Sequence, residues 1–278
     1  MKLATFNING IKARVDALPA WLATAAPDVV CLQEIKSVND AFPREVFEAM
    51  GYRVETHGQK GFNGVAILSK LPLTDIRRGL PGDEADEQAR WIEAVVTGAR
   101  PLRICGLYLP NGNPAPGPKY DYKLAWMARM EARVRDLLAA EEPFVCLGDY
   151  NVIPQALDAA KPENWVTDAL YLPASRQAYR RMLHLGLTEA IRIRDAQCSS
   201  TGHRHAHRDA NPLHNGSTIC FSARKPPTGL RTPGSTRRYA AATSRQIMCR
   251  SGSRLRPEVA AMNAFPASNP GAFRVTPL

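Results

Sequence analysis

Three apolar runs in this chain end on oxygen-bearing side chains. "MKLATFNING" ends at Asn7, "DVVCLQEIK" at Glu34, and "FVCLGDYNVIP" (144–154) at Asp149, with Asn151 two residues on. A side chain just past a buried strand sits on a rigid base at the rim of a sheet, facing solvent, which is a good address for chemistry. Alternation along an extended chain puts Asp149 and Asn151 on the same side. Two carboxylates and two amides offer only hard oxygen acceptors, a set that suits Mg²⁺ or Mn²⁺ rather than Zn²⁺. Mg²⁺ keeps waters and shares its shell with phosphate, so the implied reaction is attack of an activated water on a phosphoester. The competing reading is a turn: Asp and Asn are favoured turn formers, and at any one position that reading wins. Four strand-end positions with one ligand chemistry favour a metal site at Asn7, Glu34, Asp149 and Asn151.

The elements that must position these residues are short. Apolar runs at 3–8, 29–33, 64–69, 91–96, 102–109 and 144–148 predict strands, several of them apolar on both faces as in the middle of a layered fold. Helical spacing links Ile11, Val15, Leu18 and Leu22, with Pro19 expected to kink or split that helix. Met127, Met130, Val134, Leu137 and Leu138 mark one face of a long helix after "NPAPGPKYDY". Ser175 is expected to cap a helix that Gly186 ends. Strands alternating with helices give an α/β architecture of sheet layers covered by helices.

The 278 residues, 45% of them apolar, can bury a large core. No apolar run approaches a membrane span of roughly 20 residues. The start reads as a strand, without the apolar h-region of a signal peptide. Cys31, Cys105 and Cys146 each lie inside an apolar run and read as buried thiols in a reducing compartment. A cytoplasmic protein with no membrane partner is the expectation. The net charge of +10 is unevenly placed: residues 1–196 hold 24 Lys+Arg and 24 Asp+Glu, and residues 197–278 hold 12 and 2. Any nucleic-acid footprint on the front part is therefore a local patch.

The motifs "LATFNINGIKAR", "PDVVCLQEIK", "GQKGFNGVAILSK", "GLYLPNGNP…KYDYKLAW" and "VCLGDYNVIP" resemble, in order, those of the exonuclease III group of DNA-repair nucleases, within the endonuclease/exonuclease/phosphatase superfamily. The resemblance covers residues 1–195. It implies a four-layer α/β sandwich of two packed, mainly antiparallel sheets with helices outside, incomplete at its C-terminal end in this chain. It implies a Mg²⁺-dependent phosphodiesterase (Mn²⁺ an alternative) acting as a monomer on duplex DNA at abasic sites or 3′ ends. The family's activities are abasic-site incision, 3′→5′ exonuclease action and removal of 3′-phosphates. Carried over by motif, Glu34 is the main metal ligand with Asn7 close by. Tyr108 touches the scissile phosphate or stabilises its charge, Asp149 activates the water, and Asn151 orients substrate or metal.

Four further positions are candidates for DNA contact. Arg90 could reach a phosphate, and a solvated salt bridge is an equal reading. Lys119, Tyr120 and Lys123 interleave cations and aromatics where a helix begins, although a helix N-terminus holds phosphate through its amides alone. Trp126 shares a helix with an apolar face and reads as core. His57 and His184 read as structural.

The texture changes near "IRIRDAQCSS". Residues 197–278 carry 8 Pro, 9 Ser, 7 Thr and 11 Arg, no Trp, and no sustained periodicity, so a disordered tail is expected. "HRHAHR" (203–208) does not have the spacing of a closed zinc site. The family's closing Asp-His pair is absent after residue 196. Such a composition is what a GC-rich gene yields when read out of frame, so a frameshift near codon 196 is expected. The alternative function is a catalytically dead homologue that binds DNA loosely through its basic tail. A phosphatase acting on lipids or small molecules is a third reading, which "KYDYKLAW" and "NGVAILSK" disfavour.

Overall fold

A computed structural model describes residues 1–159, 161–190 and 192, together with the backbones of 218–222 and 258–261. Two sheets form the centre. In the first, β1 (Lys2–Asn7) runs parallel to β2 (Val29–Gln33), which pairs antiparallel with β4 (Val65–Ser69) and through it with β3 (Arg53–His57). In the second, the order is β5 (Leu73–Arg78), β6 (Trp91–Val96), β7 (Leu102–Tyr108) and β8 (Phe144–Asp149), with only the β7–β8 pair parallel. Beyond β8 come β10 (Thr218–Ser222) and then β9 (Thr188–Glu189), both antiparallel pairings, while β11 (Glu258–Ala261) lies parallel to β1 at the edge of the first sheet.

Period-two alternation sorts the strand residues into layers. Val29 and Cys31 of β2 point to the interior between the sheets, with Leu3, Val65, Ile67, Ile92, Ile104, Val145 and Leu147. Val30 and Leu32 point outward and pack with Leu18 and Leu22 of α1 (Ala17–Ala25) and Phe47 of α2 (Arg44–Glu48). On the far side, Trp91, Leu107, Phe144 and Cys146 meet Trp126, Met127, Met130 and Val134 of α3 (Pro118–Ala139), and Tyr179 and Met182 of α4 (Pro173–His184). The result is helix, sheet, sheet, helix: the four-layer α/β sandwich. Trp126 is core, edge-on to Trp91 at 6.0 Å.

Local departures from the expectations have physical causes. Pro19 falls in the first turn of α1, where its missing N–H costs nothing, and a short 3₁₀ turn at Lys12–Arg14 precedes it. Ser175 is not a cap: it lies inside α4, buried, with Oγ donating to the Ala169 carbonyl at 2.6 Å, and Pro173 opens the helix. β3, β5 and α2 were not anticipated. β5 is largely exposed and its pairing with β6 is irregular between Thr74 and Arg77, which erases any apolar signature. Two segments of the expected disordered tail form strands, β10 and β11, whose pairing partners β8 and β1 are supplied by the sheets themselves. The rest of the 197–278 tail, "HRHAHR" included, lies outside the described residues.

Gly148 fixes how close β8 comes to β7. A Cβ there would lie 1.9 Å from the Leu107 carbonyl oxygen, so only glycine is tolerated immediately before Asp149.

Candidate active site

The ends of β1, β2, β7 and β8 converge, and four side chains at those ends are joined by hydrogen bonds. Asn7 Nδ2 donates to Glu34 Oε1 at 2.8 Å and to Asp149 Oδ2 at 2.9 Å. The Tyr108 hydroxyl donates to the same Glu34 Oε1 at 2.9 Å. One amide thus spans the two sheets, with Glu34 from the first and Asp149 from the second.

The backbone around Glu34 is held in an uncommon conformation. Glu34 and Lys36 have φ of 53° and 51°, and Asn9 and Asn63 facing them have 46° and 53°. Left-handed backbone costs a non-glycine residue about 1–2 kcal/mol. Four main-chain bonds hold it: Gly10 N–H to the Glu34 carbonyl (2.7 Å), Ile11 to Ile35 (3.0 Å), Ile35 to Gly64 (3.1 Å) and Lys36 to Asn63 (3.0 Å). Lys36 Nζ then lies 3.1 Å from Glu34 Oε2 and donates to Asn9 Oδ1.

The second sheet contributes a chain of polar contacts. Asn151, at φ 44°, follows the end of β8, and its N–H donates to Asp149 Oδ1 at 3.0 Å. Its Nδ2 donates to the Leu109 carbonyl at 2.8 Å, and Asn111 Nδ2 reaches its Oδ1 at 3.4 Å. Simple strand alternation therefore does not relate Asp149 to Asn151; a turn closed by the Asp149 carboxylate does, so the turn and the site are the same structure. Arg90 stacks over the Tyr108 ring at 4.8 Å, with Nε on Gln88 Oε1 at 2.7 Å.

Burial and partners push the two carboxyl groups apart. Burial raises Glu34, but Asn7, Tyr108 and Lys36 outweigh it and hold the group below the ordinary carboxylate range. Asp149 is pushed up by burial and by the charge on Glu34, against the Asn7 and Asn151 donors. Tyr108 is raised by burial and by Glu34, so it stays a protonated donor. Two carboxylates driven in opposite directions at one cleft are a mark of divided acid–base roles.

Oxygens of Glu34 and Asp149 bound to the two hydrogens of one nitrogen are within reach of a single octahedral cation or its water shell. The donor set, two carboxylates and no thiol or imidazole, fits Mg²⁺. Among the described residues no group of three His, Cys, Asp or Glu forms a fuller cage. Asn7 takes a different place from the one expected: its Oδ1 accepts from Asn9 N–H at 3.2 Å, so its nitrogen and not its oxygen faces the carboxylates. It clasps the two carboxylates from its nitrogen.

Of the expected DNA contacts, Arg90 and Lys119 line an open groove of about 520 Å³ beside the site, with Gln88, Asn111, Gly112 and Tyr122. Tyr120 and Lys123 do not reach it. Tyr120 is buried 3.2 Å from Ser175 Oγ. Lys123 is fully buried, with Nζ donating to the Asn111 carbonyl at 2.9 Å and to that of Asn151. At helical spacing they share the face of α3 that carries Met127, Met130 and Val134, which packs against the second sheet. Burial lowers Lys123 to a pKa of about 7, opposed by Asp149 and Asp168, and both bonds survive in the neutral amine, which keeps two hydrogens. Asn9, Lys36 and Asn111 join the site unanticipated. Asn111 in "PNGN" reads as a turn former, and only its distance to Asn151 reveals more. His57 holds the Trp91 carbonyl at 3.0 Å and His184 closes α4, both outside the site.

The model of the Endonuclease/Exonuclease/phosphatase family matches residues 4–245. Exodeoxyribonuclease III of Haemophilus influenzae is 36% identical over 200 residues, covering 69% of this chain and 75% of the relative. An AP endonuclease from Archaeoglobus fulgidus superposes with a TM-score of 0.70 at 29% identity, over 80% of this chain and 87% of that one. The 3′ phosphatase NExo from Neisseria, an Asp-to-Asn variant bound to a product DNA hairpin, superposes with a TM-score of 0.69 at 31% identity, over 80% and 86%. The motifs, the layered fold and these likenesses agree: the chain belongs to the endonuclease/exonuclease/phosphatase family, in its exonuclease III branch.

Proposed function

We propose that this chain is a Mg²⁺-dependent DNA phosphodiester hydrolase of the exonuclease III type, acting in base excision repair at abasic sites and 3′ ends. The single observation that carries the reading is the Asn7 clasp, which holds Glu34 and Asp149 together across two sheets. Relatives named as an exodeoxyribonuclease, an AP endonuclease and a 3′ phosphatase support DNA as the substrate and the three activities together. Mn²⁺ is the alternative cation.

Glu34, kept ionised, would hold the cation with Asp149 beside it. The cation, when bound, neutralises phosphate charge and lowers the pKa of a bound water. Asp149, its pKa raised, accepts the proton of the attacking water. Tyr108, its hydroxyl released from Glu34 when that carboxylate takes the cation, would donate to a phosphoryl oxygen, and the Arg90 guanidinium over its ring keeps the ring in place. Asn151 and Asn111 orient Asp149 and the substrate from the other side. Arg90 and Lys119 in the open groove contact the phosphate backbone, a salt-sensitive and sequence-independent contribution.

Residues 1–196 form the catalytic part in this reading, acting as a monomer. Buried Cys31, Cys105 and Cys146, none in a disulfide, support a cytoplasmic setting. Among the described residues no helix is long and apolar enough to cross a membrane. The absence of an Asp-His pair after residue 196 motivates a second reading that the nuclease relatives do not favour, a catalytically dead homologue retained on DNA by its basic tail. We also propose that the break near residue 196 is a change of reading frame. Translating the gene in its other two frames tests this, and no downstream Asp-His-x-Pro in either frame refutes it.

The functional test is a duplex carrying one abasic site, incubated with the purified chain in Mg²⁺ and in EDTA. Incision that needs the metal and disappears in Asp149→Asn supports hydrolysis. Retention on the duplex without incision selects the dead homologue.

A further inference from the structure

Lys123 is out of place by every ordinary rule for lysine. It is fully buried on α3, yet no carboxylate among the described residues lies within ion-pair distance of its Nζ. Burying such a group is costly unless its hydrogens are used, and an apolar residue of similar size would pack there at less cost. What Nζ touches are two main-chain carbonyls, those of Asn111 and Asn151.

Those carbonyls belong to different segments. Asn111 lies in the loop after β7 and Asn151 in the turn after β8, and their side chains meet at 3.4 Å. The loop makes room for the lysine at Gly112: a Cβ there would lie 2.6 Å from Lys123 Cδ and 3.1 Å from Ala169 Cβ, and its φ of +93° also favours glycine. The carbonyl of Asn151 is one residue's backbone away from the N–H that donates to Asp149 Oδ1. Lys123, Asn111, Asn151 and Asp149 thus form one connected path from the inside of α3 to the tip of β8.

We propose that Lys123 is a positioning residue for the hydrolysis: by drawing the carbonyls of Asn111 and Asn151 together it sets the left-handed turn that aims Asp149. It never touches DNA. The assignment rests on the hydrolase reading above. Removing it costs turnover and leaves DNA affinity alone, in contrast to a surface lysine of the groove such as Lys119.

The test uses the full chain with Lys123→Met, close in length but without donors, and Lys123→Gln, which keeps a shortened donor. Three readouts are taken: single-turnover cutting of an abasic duplex in Mg²⁺, the dissociation constant for that duplex in Ca²⁺, and amide exchange at Asn151. Lys123→Met is expected to cut about 10–100-fold more slowly, as loss of a residue orienting the groups that act does, with DNA affinity within about twofold and Asn151 exchange accelerated. Lys123→Gln falls between Lys123→Met and wild type. A wild-type rate in Lys123→Met overturns the proposal. So does a slower rate matched by an equal loss of DNA affinity, and so does a failure of both variants to fold, which would make Lys123 a requirement of the fold. If the wild-type chain itself does not cut, the hydrolase reading fails, and Asn151 exchange alone decides whether Lys123 sets the turn.

Discussion

Glu34 and Asp149 accept hydrogen bonds from the same nitrogen, Asn7 Nδ2, at 2.8 and 2.9 Å. They come from different sheets, so this shared amide is the point at which the sandwich becomes a site. Asn7→Ala removes both bonds and leaves two carboxylates facing each other. The expected result is a fall in single-turnover incision of about 10²-fold, in line with losing one preorganised donor, with a higher Mg²⁺ concentration needed for half-maximal rate. Mg²⁺ titrations of the two proteins measure both.

Tyr108→Phe takes one donor from Glu34 and nothing from the packing, since the ring and its stack with Arg90 persist. The rate is expected to fall about 10–10³-fold with the melting temperature unchanged. A parallel drop in both would mean that the hydroxyl serves the fold alone.

Gly148→Ala tests how tightly the tip of β8 is set. Its Cβ would collide with the Leu107 carbonyl, and no side-chain adjustment relieves a main-chain contact. The strands must separate, at a cost of about 1–3 kcal/mol or more. A loss of roughly 2–12 °C in melting temperature follows from that range, together with a slower cut because Asp149 moves with the strand. Differential scanning calorimetry reads the first effect.

Glu93 carries the acid sensitivity of the core. Burial alone would raise its pKa, but Arg133 and Arg103, at 2.7 and 3.3 Å, and Trp91 Nε1–H hold it low. A depressed folded pKa contributes stability above the unfolded carboxylate value near ~4.3, and that contribution is lost as pH falls through the lower folded value. Glu93→Gln strands the Arg133 guanidinium, while Arg103 keeps Asp75 and Glu142, and is expected to cost about 3–5 kcal/mol at pH 7. Below pH ~4 the difference from wild type narrows. Urea unfolding from pH 3 to 8 follows the gap.

The central strands are legible because both of their faces are buried: "VVCL" and "FVCLG" are apolar or small without interruption whichever way the chain is turned. β5 is not, because an exposed edge strand such as "LTDIRR" has no apolar face to announce it. The strand-end positions can be picked out by residue type and place, yet the orientation of Asn7 cannot. Sequence names an amide but does not say which end faces the carboxylates, and the Asn9 N–H decides that. Lys123 was misplaced for a related reason. A lysine near a helix start reads as surface, and the space that admits it is made by Gly112 on another segment. The strands β10 and β11 take their pairing from β8 and β1, so their own residues carry little signal.

The proposed hydrolysis requires Glu34 and Asp149 to bind one divalent cation between them. Electron paramagnetic resonance of Mn²⁺ added to the full chain, to Glu34→Gln and to Asp149→Asn measures it directly. Bound Mn²⁺ is expected in the wild type, with affinity weakened by about tenfold or more in each variant and weaker still when both changes are combined. Mn²⁺ bound equally by all four proteins would contradict it.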